Sequence, residues 1–251
     1  MIDDTKKKLP KKDVVITSLD QYLDTINTLD AFSTMGSKVL LFRGQKEASW
    51  ELLPGLGRPN YFRPGIEKFE SNILNEFKRR AIPFLPKTFD SKSNWEWLAL
   101  AQHYKLPTRL LDWTENPLVA LFFAFEFTKD NEGDRAVWVF GAAESEFADS
   151  NNASVNPFTL GQTKVFVPNQ MTQRITAQSG WFTVHKYMQD KNKFLPFNKN
   201  ATYKSRVSKM IFSNALRDNL LLRLNRLGVN SFSIYPDLEG LSTFLSWKHF
   251  K

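Results

Sequence analysis

The stretch from residue 95 to 127 constrains the fold of this chain most strongly. It reads WEWLALAQHYKLPTRLLDWTENPLVALFFAFEF, with apolar segments at both ends and a polar middle. The first helix should end near Pro107, because a residue that precedes proline avoids the helical region. Asn116 and Pro117 predict the start of a second helix, since asparagine is a common N-cap and proline is favoured at the first helical position. The stretch therefore predicts two buried helices joined by a tight polar loop.

The polar middle of this stretch predicts a ligand site. It concentrates side chains that donate or accept hydrogen bonds, stack or carry charge: Gln102, His103, Tyr104, Thr108, Arg109, Asp112, Trp113 and Thr114. A packed core does not require this density of polar groups, whereas loops held by rigid elements often carry binding sites. The pattern indicates a site before it indicates any reaction.

The rest of the chain predicts an α+β fold, with a mixed or antiparallel sheet flanked by helices. Residues 38–44 (KVLLFRG) are typical of a buried strand that ends at Arg43 and Gly44. Further strands are predicted at 135–140, 181–185 and 206–212, and further helices at 18–29, 64–81, 213–227 and 236–249. Residues 1–12 are expected to be a disordered basic arm, and residues 13–251 a single domain.

The charge is concentrated in one part of the chain. The net charge is +8, and residues 186–226 alone hold ten Lys or Arg against two Asp. This basic region predicts binding of nucleic acid or another polyanion, with a merely solvated surface as the alternative.

Composition excludes several classes of protein and site. The absence of cysteine excludes disulfides and thiolate metal sites, and the three histidines are scattered, so we expect no metal. No apolar run is long enough to span a membrane, which predicts a cytoplasmic protein without a membrane partner.

Five residues have both a functional and a structural interpretation. Arg43, at a strand end, binds either a phosphate or an acidic side chain. Arg109 and Asp112, three residues apart, form either an internal salt bridge or part of a ligand site, and Arg43 would join them if it reaches Asp112. His103 is a candidate general acid or base or a helix-end histidine. Trp113 stacks on a base or fills the core.

The sequence resembles the FRG domain family, named after Phe-Arg-Gly. The resemblance rests on Phe42-Arg43-Gly44, on QHYxLPTRLLDWTxNP at 102–117, on RIxxQxGxFT at 174–183 and on YPDLEG at 235–240. It covers about residues 36–246. The resemblance implies a bacterial or phage-associated cytoplasmic protein with a role in phage defence or toxicity, but it assigns no activity.

The chain also resembles, more weakly, ADP-ribosyltransferases of the arginine–serine–glutamate type. The resemblance implies an ADP-ribosyltransferase-like sheet and NAD as the cofactor, with Arg43 and Gly44 at its phosphate or ribose. It implies catalytic roles for His103, Asp112 and Gln178. The two resemblances together imply that the following residues bind the ligand: Gln102, Thr108, Arg109, Trp113, Arg174 and Thr183. The chain departs from this pattern at Gln178, which stands where a catalytic glutamate is expected, and an amide supplies no negative charge. Asp112, Asp237 or Glu239 would then have to supply it.

Three functions follow as hypotheses. The first is an ADP-ribosyltransferase-like effector that uses NAD or another nucleotide and modifies a protein or a nucleic acid. The second is a non-catalytic module that binds a nucleotide or, through residues 186–226, a nucleic acid. The third is a metal-independent nuclease-like toxin that uses His103 and the arginines. Whether the protein is an enzyme stays open at this level.

Overall fold

The computed structural model describes residues 13–33, 39–61, 63–85, 93–126, 133–152, 154–168 and 180–250. In these ranges the chain forms seven α-helices and a mixed seven-stranded sheet, which confirms the predicted α+β class. The expected arm at residues 1–12 lies outside them. None of the described helices is long and apolar enough to cross a bilayer.

The elements follow one another along the chain in mixed order. The strands are β1 (Val14–Ile16), β2 (Val39–Gln45), β3 (Leu110–Thr114), β4 (Arg135–Ala142), β5 (Lys164–Phe166), β6 (Gly180–Val184), β7 (Tyr187–Met188), β8 (Lys193–Phe194) and β9 (Val207–Phe212). The helices are α1 (Leu19–Ser33), α2 (Ile66–Ala81), α3 (Asn94–His103), α4 (Pro117–Phe125), α5 (Arg217–Arg226), α6 (Ser231–Ile234) and α7 (Leu238–His249).

The large sheet has the order β1-β9-β4-β2-β3-β6-β5, and β7 and β8 form a separate small hairpin. Only β1 runs parallel to its neighbour, β9, and the other neighbouring strands are antiparallel. Strand β2 pairs with β4 over its whole length, from Val39 opposite Ala142 to Gln45 opposite Ala136. The segment that ends in Arg43 and Gly44 is therefore a central strand.

The prediction of a loop between α3 and α4 is wrong for five residues, Leu110–Thr114, because they form strand β3. Each residue of β3 pairs with one of β6, from Leu110 opposite Val184 to Thr114 opposite Gly180. The segment is too short to show a strand period by itself. Its pairing partner lies about 70 residues further along the chain, so only the folded structure shows it.

Helix α4 begins as the sequence predicts and is buried as predicted. The side chain of Asn116 accepts hydrogen bonds from the backbone N–H groups of Leu118 and Val119, and Pro117 occupies the first turn. The helix packs directly on β2, because Gly44 has no side chain. A Cβ there would overlap the carbonyl oxygen of Ala120 and lie 2.6 Å from the backbone nitrogen of Ala124. The glycine therefore sets how closely α4 approaches the sheet.

Candidate functional site

A cleft of about 460 Å³ opens beside the central strands β2 and β3. The two strands share a single registered pair, Phe42 opposite Thr114. Continuing that antiparallel register would place Gly44 opposite Asp112. Instead, Nη1 of Arg43 donates a hydrogen bond of 2.7 Å to the backbone carbonyl of Asp112. At the edge of the cleft, the Arg43 side chain thus bonds a carbonyl that would otherwise pair with the backbone of β2.

Arg43 is the most buried cation of this cleft. Its side chain is 14% exposed, and Nη1 lies 3.3 Å from Oδ2 of Asp112. Burial lowers the pKa of the guanidinium, the Asp112 carboxylate opposes this shift, and the positive charge of Arg58 adds to it. Its Nε is buried and has no hydrogen-bond partner among the described residues. A buried donor without a partner is costly, so a bound acceptor that reaches this atom would relieve that cost.

Asp112 is held by a short chain of side-chain hydrogen bonds. Nε2 of Gln102 lies 3.2 Å from both carboxylate oxygens, and Oε1 of Gln102 accepts a 2.8 Å bond from the Thr108 hydroxyl. The Thr108 oxygen in turn accepts from the backbone N–H of Leu110. These hydrogen bonds orient the Gln102 amide and hold the Asp112 carboxylate next to Arg43. Gln102, Thr108 and Asp112 all belong to the motif at 102–117.

The predicted salt bridge between Arg109 and Asp112 is wrong. Arg109 is fully buried and pairs with Glu70 of α2, with Nη2 lying 2.7 Å from Oε2. Its Nε donates to the same carboxylate, whose Oε1 accepts from the Arg109 backbone N–H, and Nη1 donates to the carbonyls of Pro157 and Phe158. Arg109 does not line the cleft. It joins α2, β3 and the 157–158 segment, so its position is explained by a structural role.

Trp113 is placed in the core rather than as a stacking surface. It borders the cleft but is only 3% exposed, and its ring packs against Phe140 and Phe197. The indole Nε1 donates a 3.0 Å hydrogen bond to Oγ1 of Thr183, which lies 3.1 Å from Nε2 of His185. Thr183 is fully buried and does not line the cleft. It holds the tryptophan, whose burial corrects the stacking interpretation.

The structure thus sorts the candidate residues into three groups. Those that line the cleft are Arg43, Gly44, Gln102, His103, Asp112 and Trp113. Those that are described but lie outside the lining are Thr108, Arg109 and Thr183. Arg174 and Gln178 fall outside the described residues, so their roles stay predictions. Asp237, an alternative source of negative charge, instead caps α7 by accepting a hydrogen bond from the Gly240 N–H.

Sequence reasoning missed several residues of the cleft. They are the cations Lys46, Arg58 and Lys105, the carboxylate Glu126 and the aromatic residues Trp50, Trp181 and Tyr235. They come from separate loops, strands and helix ends, and nothing in the sequence shows that these segments meet at one cleft. The sequence carried a weak signal for some of them: Trp50 and Arg58 belong to a cluster of arginines and aromatic residues in the loop at 45–64, and Tyr235 begins the motif at 235–240.

The basic region at 186–226 is partly neutralised within the folded chain. Five of its cations form ion pairs with acidic residues elsewhere or next to them: Lys199 with Glu51, Arg206 with Glu146, Lys209 with Asp13, Arg217 with Asp218, and Arg223 with Asp20. Binding of nucleic acid there stays a prediction.

The comparison with protein families agrees with the motifs that build the cleft. The family model described as "FRG domain" matches residues 38–133, which include Phe42-Arg43-Gly44 and the motif at 102–117. This part of the chain therefore matches the FRG domain. No curated protein and no solved structure matches the chain. The resemblance to ADP-ribosyltransferases is not confirmed.

The three residues that name the FRG domain have separate structural roles here. Phe42 is buried in the core at the single pair with β3. Arg43 points its guanidinium to Asp112 at the cleft, and Gly44 allows α4 to approach β2. Other parts of the cleft, such as Trp181 and Tyr235, lie beyond the matched residues. The part of the chain that matches the FRG domain therefore contributes Arg43, Gln102 and Asp112 to a cleft that the later part of the chain completes.

Proposed function

We propose that the cleft binds a nucleotide. The observation that carries this proposal is that one cleft holds both a buried guanidinium with a free Nε–H donor and an exposed tryptophan. The first is Arg43 and the second is Trp50. A nucleotide presents an anionic phosphate and a flat aromatic base, which are the two chemical groups that these side chains bind.

The charge of the lining favours an anionic ligand. Four basic residues line the cleft (Arg43, Lys46, Arg58 and Lys105), against two carboxylates, Asp112 and Glu126. The Asp112 carboxylate already contacts Arg43 and Gln102. A ligand with negative charge would balance the charges of Arg58 and Lys105 and would accept a hydrogen bond from Nε of Arg43.

Trp50 takes the stacking role that the sequence suggested for Trp113. Its side chain is 48% exposed and borders the cleft. It forms no ring–ring contact with the aromatic side chains of the described residues. Stacking of a base on an aromatic side chain contributes about 1–3 kcal/mol. An exposed indole at the mouth of a cationic cleft is suited to this contact.

A second candidate function is the cleavage or transfer of ADP-ribose from NAD, and Glu126 is the observation that favours it. The sequence offered glutamine in place of the expected catalytic glutamate, but the cleft contains the carboxylate of Glu126, whose Oε2 accepts a 2.8 Å hydrogen bond from the Tyr235 hydroxyl. A carboxylate stabilises an oxocarbenium-like transition state. In this hypothesis Glu126 supplies that charge, His103 handles the proton, and a protein or nucleic acid is the acceptor.

Nucleotide binding is tested by thermal unfolding and calorimetry with ADP, NAD and adenosine. We expect ADP or NAD to raise the Tm, and Trp50→Ala to weaken binding about 5- to 150-fold, since the lost stacking is about 1–3 kcal/mol. Phe84→Ala is the matched control, because Phe84 is an exposed aromatic residue that does not line the cleft. Binding that is absent, or that is equal in both variants and the wild type, refutes the proposal.

Catalysis is tested separately by following nicotinamide release from NAD in the wild type and in Glu126→Gln. Release that requires Glu126 supports the second function, and its absence in the wild type removes it. Degradation of RNA or DNA that His103→Ala abolishes would instead support the nuclease-like alternative.

A further inference from the structure

Lys105 adopts a backbone conformation that is unfavourable for lysine. Its φ is +65°, in the left-handed region, which residues with a Cβ rarely adopt. It follows α3 in a Schellman motif: its N–H donates to the carbonyl of Gln102 at 2.9 Å, and the Leu106 N–H donates to the carbonyl of Ala101 at 3.0 Å. Glycine is the usual residue at this position. The protein is therefore less stable with lysine at this position than it would be with glycine.

Only one other described residue besides glycine has a positive φ, and it needs no special explanation. This residue is Asn192, with φ +49°, and asparagine tolerates the left-handed region better than most residues. It lies outside the cleft lining, whereas Lys105 is exposed and lines the cleft. Strained residues that persist at a cleft are candidates for function.

A second exposed cation, Arg58, stands on a neighbouring loop. The Leu56 N–H donates a 3.1 Å hydrogen bond to the carbonyl of Thr108, which ties the turn before Arg58 to the segment after Lys105. Neither segment, 54–58 or 104–108, contains an acidic residue. Arg58 also lies close enough to Arg43 for its charge to lower the pKa of the Arg43 guanidinium. This side of the cleft therefore gathers positive charge around the buried arginine.

We propose that Lys105 and Arg58 bind the phosphate group of the ligand, with Lys105 as the residue that selects for phosphate charge. This inference rests on the proposed nucleotide binding and deepens it. A terminal phosphate carries close to two negative charges at pH 7 and has three acceptor oxygens. Arg43, at the buried side, has one Nε–H donor without a partner among the described residues, while Lys105 and Arg58 are exposed and line the cleft from the solvent side. The left-handed backbone at residue 105 is retained because the ammonium is needed there.

The test compares substitutions at residue 105 that separate charge from backbone strain. Calorimetry measures the Kd of ADP for the wild type, Lys105→Arg, Lys105→Asn and Lys105→Gly. The Arg variant keeps the charge, and the Asn and Gly variants remove it while relieving the strain. We expect affinity to be retained in the Arg variant and to fall about tenfold in the other two, as expected for loss of a charge-assisted hydrogen bond.

Thermal unfolding of the same proteins supplies the second readout. Lys105→Gly should raise the Tm of the ligand-free protein by about 2–4 °C, because a left-handed residue becomes glycine in a chain of this size. Asn192→Gly is the matched control: it changes the other left-handed position and should leave the Kd of ADP unchanged. A more stable protein that binds ADP more weakly has lost a ligand contact rather than its fold.

The outcomes separate this inference from the function on which it rests. If ADP binds the wild type and Trp50→Ala weakens it, but Lys105→Gly binds equally well, the phosphate role of Lys105 is refuted and nucleotide binding stands. If the wild type binds neither ADP nor inorganic phosphate, both fall. A third outcome is that inorganic phosphate binds but ADP does not, and that Lys105→Gly weakens phosphate binding whereas Trp50→Ala does not. Lys105 then binds a free anion, and the nucleotide proposal is refuted.

Discussion

His185 should make the stability of this protein depend on pH below neutrality. The side chain is buried, and burial, with the charges of Arg43 and Arg109 adding to it, lowers its pKa to about 3, against the partial support of a backbone hydrogen bond at Leu195. Its Nε2 lies 3.1 Å from Oγ1 of Thr183. Because that oxygen already accepts from the Trp113 indole, the Thr183 hydroxyl is free to donate to a neutral His185. A proton on Nε2 would remove this acceptor.

The magnitude follows from the two pKa values. The pKa of histidine is 6.5 in the unfolded chain and about 3 in the folded protein, so between these values the unfolded state binds more protons. The contribution of neutral His185 to the free energy of unfolding is therefore fully present above pH 6.5, and it is lost as the pH drops toward 3. At pH 5, about 1.5 units below the unfolded value, the loss is about 2 kcal/mol, since one unit corresponds to about 1.4 kcal/mol.

Urea unfolding at pH 7.5 and pH 5 measures this loss in the wild type and in His185→Gln. The glutamine is uncharged at both values and can accept the hydrogen bond from Thr183. The free energy of unfolding of the wild type should fall by about 2 kcal/mol more than that of the variant. The carboxylates are common to both proteins, so their contributions cancel in the comparison. Equal falls in the two proteins would refute the buried, neutral His185.

Two further substitutions test the packing that positions the cleft. Gly44→Ala should destabilise the protein by about 3 kcal/mol or more, because the added Cβ overlaps the backbone of α4, whereas Gly161→Ala meets no atom within 4 Å and should be tolerated in the same urea measurement. Equal stability of the two variants would contradict the close approach. Glu70→Gln should cost about 3–5 kcal/mol, because it leaves the buried Arg109 without its counter-charge. Glu76→Gln removes an exposed partner from the same helix and should change stability little, so a similar loss in both would show that the buried pair is not special.

Local features of the fold could be predicted from the sequence alone. Asn116 and Pro117 predicted the start of α4, and the unbroken apolar segment after them predicted its burial. The run before Arg43 predicted a buried strand, which the structure shows as β2. These signals are local, because caps depend on neighbouring backbone groups and hydrophobic patterns depend on one element's own period. The motifs at 42–44 and 102–117 also indicated the FRG domain, and the family model that matches residues 38–133 includes both of them.

Pairing between distant residues was decided by the tertiary structure. The sequence brought Arg109 and Asp112 together as neighbours, but the fold gives Arg109 to Glu70 and Asp112 to Arg43. Charge pairs depend on which buried groups meet, and spacing along the chain does not determine that. The same holds for β3, whose short segment becomes a strand only through its pairing with β6.

The sequence by itself determined that residues 95–127 hold a polar cluster between buried segments, because polarity and helix caps depend only on residues that are close together in the chain. Only the tertiary structure decided which members of that cluster reach the cleft. Trp113 turns into the core, while Trp50, from a loop that carried only a weak signal, stands exposed at the cleft. The reason is physical: burial and exposure are set by the elements that pack around a residue, and those elements come from the whole chain.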